Sequence, residues 1–147
     1  MAKDIYHDIV KIALIKDGWT ISRNRRNRRM ERTMEKIKKH QEIIVKMLKS
    51  LATDYSNEEN SELEDEVICD FVGNHFQLLT VGWQNKRHIF IVNCHLDIKP
   101  DGKIWIMANN TDILIADELK NQGVLASDIV LGLKPANVRK HTGFATA

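Results

Sequence analysis

HFQLLTVGW (75–83), RHIFIVNCHLDI (87–98) and KIWIMA (103–108) follow one another with only short breaks, and this stretch decides the fold. Each run is rich in aromatic and β-branched residues and has the length of one strand. The breaks are Gln84-Asn85-Lys86 and Lys99-Pro100-Asp101-Gly102. Pro-Asp-Gly places proline and glycine where a tight turn uses them, so consecutive runs are expected to pair as antiparallel hairpins. A fourth run lies upstream, LEDEVICDF (63–71), joined through Val72-Gly73-Asn74. The expected core is an antiparallel four-stranded meander.

Working outward, Met34, Ile37, Ile44, Val45, Leu48 and Leu51 recur at three- and four-residue steps between Met30 and Ala52. That spacing predicts a long amphipathic helix whose apolar stripe covers one face of the sheet. Residues 53–62 are acidic and turn-rich and read as a loop. After the sheet, Thr111 or Asp112 is placed to cap a helix ending near Asn121, with Gly123 in the left-handed position behind it. Ser127-Asp128 reads as the start of one more helical turn over DIVLGL, and Pro135 closes the regular structure. The fold class is therefore α+β: a four-stranded antiparallel sheet, a long N-terminal helix on one face, and shorter C-terminal helices.

The N-terminal region reads differently. Ile5, Ile9, Ile12, Leu14 and Ile15 predict a short amphipathic helix over 4–16, with Asp4 as its cap and Gly18 as its end. Trp19-Thr20-Ile21 has the character of a strand that does not continue. SRNRRNRR (22–29) is polar and self-repelling, which predicts a flexible Arg-rich linker.

The net charge of +2 conceals an asymmetry. Residues 1–50 carry 14 Lys/Arg against 6 Asp/Glu, a balance of +8, and residues 51–147 carry 8 against 14, a balance of −6. A hydrophobic content of 43% suits an ordinary globular chain. The two cysteines, Cys69 and Cys94, lie in separate strand-like runs without CxxC spacing and are expected to be reduced, buried thiols of a cytoplasmic protein. No apolar run approaches the roughly 18 residues that span a bilayer, so neither export nor membrane insertion is indicated.

The ordered runs HFQLLTVGW, HLDI, DGKIWI, TDILIADELKNQGV, SDIVLGL and RKHTGFA resemble the XisI family, over about residues 30–147. AKDIYHDIVKIALIKDGWTI (2–21) is similar to the start of XisH, the protein paired with XisI. The expected organisation is thus a XisH-like fragment (1–21), an Arg-rich linker (22–29) and a XisI-like domain (30–147). XisH-type proteins resemble restriction-endonuclease-like folds, whose chemistry needs acidic residues and a lysine on central strands. Glu118-Leu119-Lys120 mimics that signature but falls on a predicted helix.

The resemblance implies a controlling factor, like that of the fdxN element, for developmental excision of a DNA element by a site-specific recombinase in heterocyst-forming cyanobacteria. It implies a XisH-type partner and leaves a recombinase, DNA and a second copy of the chain as open partners. It supplies no catalytic motif, so no enzyme activity, catalytic residue, cofactor or metal is expected. Two alternatives stand beside it: a nonspecific DNA-binding accessory protein, and an antitoxin-like inhibitor of a XisH-type nuclease. The acidic stretch 53–66 would suit a basic surface on such a partner.

Several residue groups remain as candidate sites. Arg23, Arg25, Arg26, Arg28, Arg29, Arg32, Lys36, Lys38 and Lys39 could neutralise phosphates and give salt-dependent DNA affinity. The rival reading is a solvated junction between two joined segments. His95 and Asp97 share a strand face beside His75 on the neighbouring strand, and such a trio could bind a metal or polarise a water. A hydrogen-bonded structural group is the favoured reading there. Trp83 and Trp105 could stack bases, although packing against the long helix is favoured for both. Ile113–Ala116 is expected under the sheet rather than at a docking edge. Arg139, Lys140 and His141 read either as a second phosphate contact or as a tail folded over the acidic body.

Overall fold

The computed structural model of the chain describes residues 20–55 and 62–147, with side chains described from 24 to 52 and from 62 onward. The helix expected over 4–16 and most of the acidic loop lie outside the described residues. The chain divides into two units, 1–35 and 36–147.

Helix α1 spans Thr20–Tyr55, 36 residues. Residues 22–29 are therefore helical, not a flexible linker, and Thr20 and Ile21 begin a helix rather than a strand. Arginine is a strong helix former, and no glycine or proline interrupts the sequence between Trp19 and Tyr55. An established helix propagates through such a stretch at little cost despite its repelling charges.

Within the second unit, strands β1 (Glu62–Asp70), β2 (His75–Gln84), β3 (Arg87–Ile98) and β4 (Ile104–Asn109) form the expected antiparallel meander. Asn85 and Lys86 both adopt positive φ, 49° and 67°, giving the two-residue β2–β3 hairpin the twist that suits its strands. At the Pro-Asp-Gly turn, the Gly102 amide donates to Lys99 O at 2.8 Å.

The sheet has a fifth strand, so it is mixed rather than wholly antiparallel. Strand β5 (Ile129–Val130) runs parallel to β4, pairing Ile129 with Ile104 and Val130 with Trp105, in the order β1-β2-β3-β4-β5. Helix α2 (Ile115–Asn121) lies on the connection between β4 and β5. The DIVLGL run is thus not a helical turn; a 3-10 turn at Ala126–Asp128 ends where the strand begins. Two residues are too few to show a period of two, and both are buried.

The α2 start also differs from expectation. Leu114 occupies the cap position without a side-chain bond, while Thr111 joins a turn in which its N–H and its hydroxyl both donate to Asn109 Oδ1 at 3.0 and 2.7 Å. Gly123, at φ 93°, takes the left-handed position behind the helix as expected. A four-residue helix, α3 (Ala136–Arg139), follows Pro135.

The core lies between one sheet face and the two longer helices. Ile44, Met47, Leu48 and Leu51 of α1 meet Phe76, Leu78, Cys94, Leu96 and Ile106, joined by Ile115 and Leu119 of α2 and Ile129 of β5. Ile113 and Ala116 pack against this core, while Leu114 points to solvent. In the first unit Met34, expected in the stripe, is 66% exposed. Trp83 is also not core: it is 53% exposed at the end of β2, edge-on to His88 with ring centroids 5.1 Å apart. Burial pushes the Cys94 thiol up to about 11, as suits an unreactive packing residue.

His40 occupies a position on the buried α1 stripe and bonds Gly102 O through Nδ1 at 2.8 Å, joining the helix to the β3–β4 turn. Burial lowers its pKa; the bond to Gly102 and the Asp128 carboxylate oppose this, and Lys36 and Lys39 add to it. In the unfolded chain the imidazole is ordinary and takes up a proton below about pH 6.5, whereas folded His40 resists it. Unfolded molecules then bind more protons, so the His40 contribution to stability is lost as pH falls through that range. Urea midpoints at pH 7.5 and 5.5 should therefore drop more in the native protein than in His40→Gln. An equal drop in both would contradict this role.

Candidate functional site

Alternation along β2 and β3 puts His75, Gln77, His95 and Asp97 on the face opposite the helices, with His75 opposite Asp97 and Gln77 opposite His95 in the register. The turn before β2 fixes where His75 starts. Asp70 Oδ1 accepts the N–H groups of Val72 at 2.9 Å and Gly73 at 2.8 Å, bonds that hold its carboxyl below the usual range. A Cβ on Gly73 would lie 2.3 Å from Asp70 Oδ2 and 2.9 Å from His75 Cδ2, so only glycine leaves both side chains in place. Gln41 of α1 donates to Asn74 Oδ1 at 2.7 Å, and the Ile98 amide donates to Asn74 O at 3.0 Å.

Asp97 is the centre of the group and is 6% exposed. Its Oδ1 accepts from His75 Nδ1 at 2.7 Å and from His95 Nε2 at 2.8 Å, and its Oδ2 accepts from Lys99 Nζ at 2.8 Å. Burial alone would raise this carboxyl, but the bonds from Lys99, His75 and His95 outweigh it and hold Asp97 below its ordinary value. Gln77 Nε2 lies 2.7 Å from His95 Nδ1. A neutral His95 therefore carries its proton on Nε2, toward Asp97, and accepts the Gln77 amide on Nδ1.

Trp105 stands opposite Asp97 on β4. The Arg139 guanidinium lies 4.8 Å from its ring centre and the Lys99 ammonium 5.9 Å away, both within cation–π range. Arg139 also donates to Lys134 O at 2.9 Å and Thr146 O at 3.3 Å. Trp105 is thus half-buried beneath the C-terminal segment rather than packed on α1, and Arg139 folds over the sheet.

The structure brings the expected histidine–aspartate trio together: one ligand atom from each of His75, His95 and Asp97 lies within 4.8 Å of the other two. Gln77 and Lys99 were missed, although Gln77 is two residues from His75 along β2 and Lys99 is two residues from Asp97, just past the end of β3, where the period of two would have placed them. Arg139 on Trp105 had no sequence signal, since the contact joins residues 34 positions apart through a tail of irregular structure.

The basic candidates separate. Arg25, Arg26, Arg28, Arg29 and Arg32 are helical in the first unit, with Arg25, Arg28, Arg29 and Arg32 on one side at three- and four-residue steps. The side chain of Arg23 lies outside the described residues. In the second unit Lys38 and Lys39 are exposed, whereas Lys36 is taken up by Asp128, Nζ to Oδ1 at 2.6 Å.

Fold and site define an α+β protein whose five-stranded sheet carries its helical core on one face and a polar histidine–aspartate group on the other. Among the described residues no helix is long and apolar enough to cross a membrane. The chain belongs to the XisI family: the XisI protein model matches residues 34–146. The crystal structure of a XisI-like protein from Anabaena variabilis ATCC 29413 is 40% identical, at a TM-score of 0.69, over 76% of this chain and 99% of that one. The fdxN element excision controlling factor XisI from the same organism is 30% identical, at a TM-score of 0.63, with the same coverage of both chains. The XisH protein model matches residues 1–55, so the XisH-like similarity runs well past Ile21 and overlaps the XisI match along α1. No curated protein matches the sequence.

Proposed function

We propose that this chain is a non-catalytic controlling factor for developmental excision of a DNA element by a site-specific recombinase, and that it acts through contact with a XisH-type partner. The XisI match over residues 34–146 carries this reading. The fdxN element excision controlling factor XisI, 99% of whose length is matched by 76% of this chain, names the process. The XisH match at the start of the same chain supports the choice of partner.

The open sheet face suits a protein contact. Ile68, Trp83 and Phe90 are exposed on it, and Glu64 and Glu66 of β1 lie beside them, opposite Val81 and Leu79. Apolar groups with an acidic border fit a partner whose surface is basic. The full chain should co-purify with a XisH-type protein at micromolar concentration, and Phe90→Asp should weaken that association at least tenfold. No association at that concentration would reject the reading.

A second reading rests on the helical arginines. Four phosphate contacts from Arg25, Arg28, Arg29 and Arg32 would give a slope of roughly −3 to −4 in log K against log salt. Replacing the four with glutamine should abolish a DNA gel shift if this arm binds; an unchanged shift would exclude it.

A further inference from the structure

We propose that His75, His95 and Asp97 form a binding site for a divalent transition metal of the zinc type, built on the open face of the sheet. The three ligand atoms already converge from two adjacent strands, at 2.7 and 2.8 Å from Asp97 Oδ1 to the two ring nitrogens. Ligands about 2.0–2.1 Å from a tetrahedral zinc stand roughly 3.3 Å from one another. Entry of the ion therefore requires the Asp97 oxygen and each imidazole nitrogen to part by about half an ångström, and the two histidines, whose ligand atoms lie within 4.8 Å, to settle at the same spacing. His75 is the outer ligand, its side chain 54% exposed, so the ion has a path from solvent and a fourth position open to water.

The proton bookkeeping closes without help from outside the site. His75 moves its proton from Nδ1 to Nε2. His95 frees Nε2 by moving its proton to Nδ1, where Gln77 now presents its amide nitrogen at 2.7 Å. Turning the Gln77 amide by 180° presents its oxygen instead and accepts that proton. Gln77 then becomes the outer partner that fixes the His95 ring, as metal-bound histidines usually require. Lys99 keeps Asp97 Oδ2 occupied, which leaves Oδ1 as a single ligand oxygen. Two imidazoles and one carboxylate favour zinc-like ions over calcium or magnesium, which take oxygen ligands.

The test uses the full chain stripped with chelator and titrated with Zn²⁺ by calorimetry and with Co²⁺ by visible absorption. One ion per chain should bind, and Co²⁺ should develop the absorption of a four- or five-coordinate centre. His75→Ala, at a half-exposed position that keeps the fold, should weaken binding at least tenfold, and Gln77→Leu by 10- to 100-fold. His88→Ala and His141→Ala should bind as the native chain does. Circular dichroism of each variant separates loss of a ligand from loss of the fold. No saturable binding below about 1 mM, or binding that His75→Ala leaves unchanged, would overturn the site.

Discussion

Phe76→Ala is expected to cost about 3–5 kcal/mol of folding stability, a large part of the roughly 5–15 kcal/mol margin of a typical domain. Phe76 is fully buried near the start of β2, between Cys69 of β1 and Leu96 of β3 in the register, and packs in the core with the α1 stripe. Its ring also meets Phe71 edge-on, with centroids 5.8 Å apart. Truncation removes the burial of a large apolar group and leaves a cavity that neighbours held by strand pairing cannot fill. Phe90→Ala, on the open face at 62% exposure, should change stability by less than about 0.5 kcal/mol. Urea denaturation of both variants checks the assignment of faces. A smaller cost at Phe76 than at Phe90 would invert it.

Ile129→Ala should cost about 2–5 kcal/mol although Ile129 belongs to a strand of only two residues. Ile129 is fully buried, pairs with Ile104, and sits in the core with Leu119 and Val124 from the connection that carries α2. The Ile129 carbonyl further accepts the Ala145 amide at 2.9 Å, tying the C-terminal segment to the sheet. If DIVLGL were one exposed helical turn, the same change would be nearly neutral. Equilibrium unfolding therefore decides between a buried fifth strand and a peripheral turn.

The elements that were legible are those whose pattern repeats. Four strands, three turns and the α1 stripe from Ile37 to Leu51 each carry several residues at a fixed period, so alternation and turn chemistry suffice. Strand β5 has no room for a period, and its burial comes from the crossover through α2, which is a long-range fact. The Arg-rich stretch misled because its charges suggested a solvated linker while its helix propensity, unbroken by glycine or proline, favoured α1. Trp83 shows the converse: its size suggested core, but the alternation of β2 turns it onto the open face, away from the helices. At the candidate site the trio followed from alternation alone. Its hydrogen bonds depend on the turn at Gly73-Asn74 and on the β2–β3 register, which sequence spacing does not measure.

The central claim is control of excision, and the most direct measurement is the joined DNA junction left when the element departs. The assay compares host cells that carry the element, its recombinase and a XisH-type protein, with and without this chain, by amplification across the junction. The junction should form only where the chain is present and should be restored when the chain is supplied again. Equal junction formation in its absence would contradict the claim.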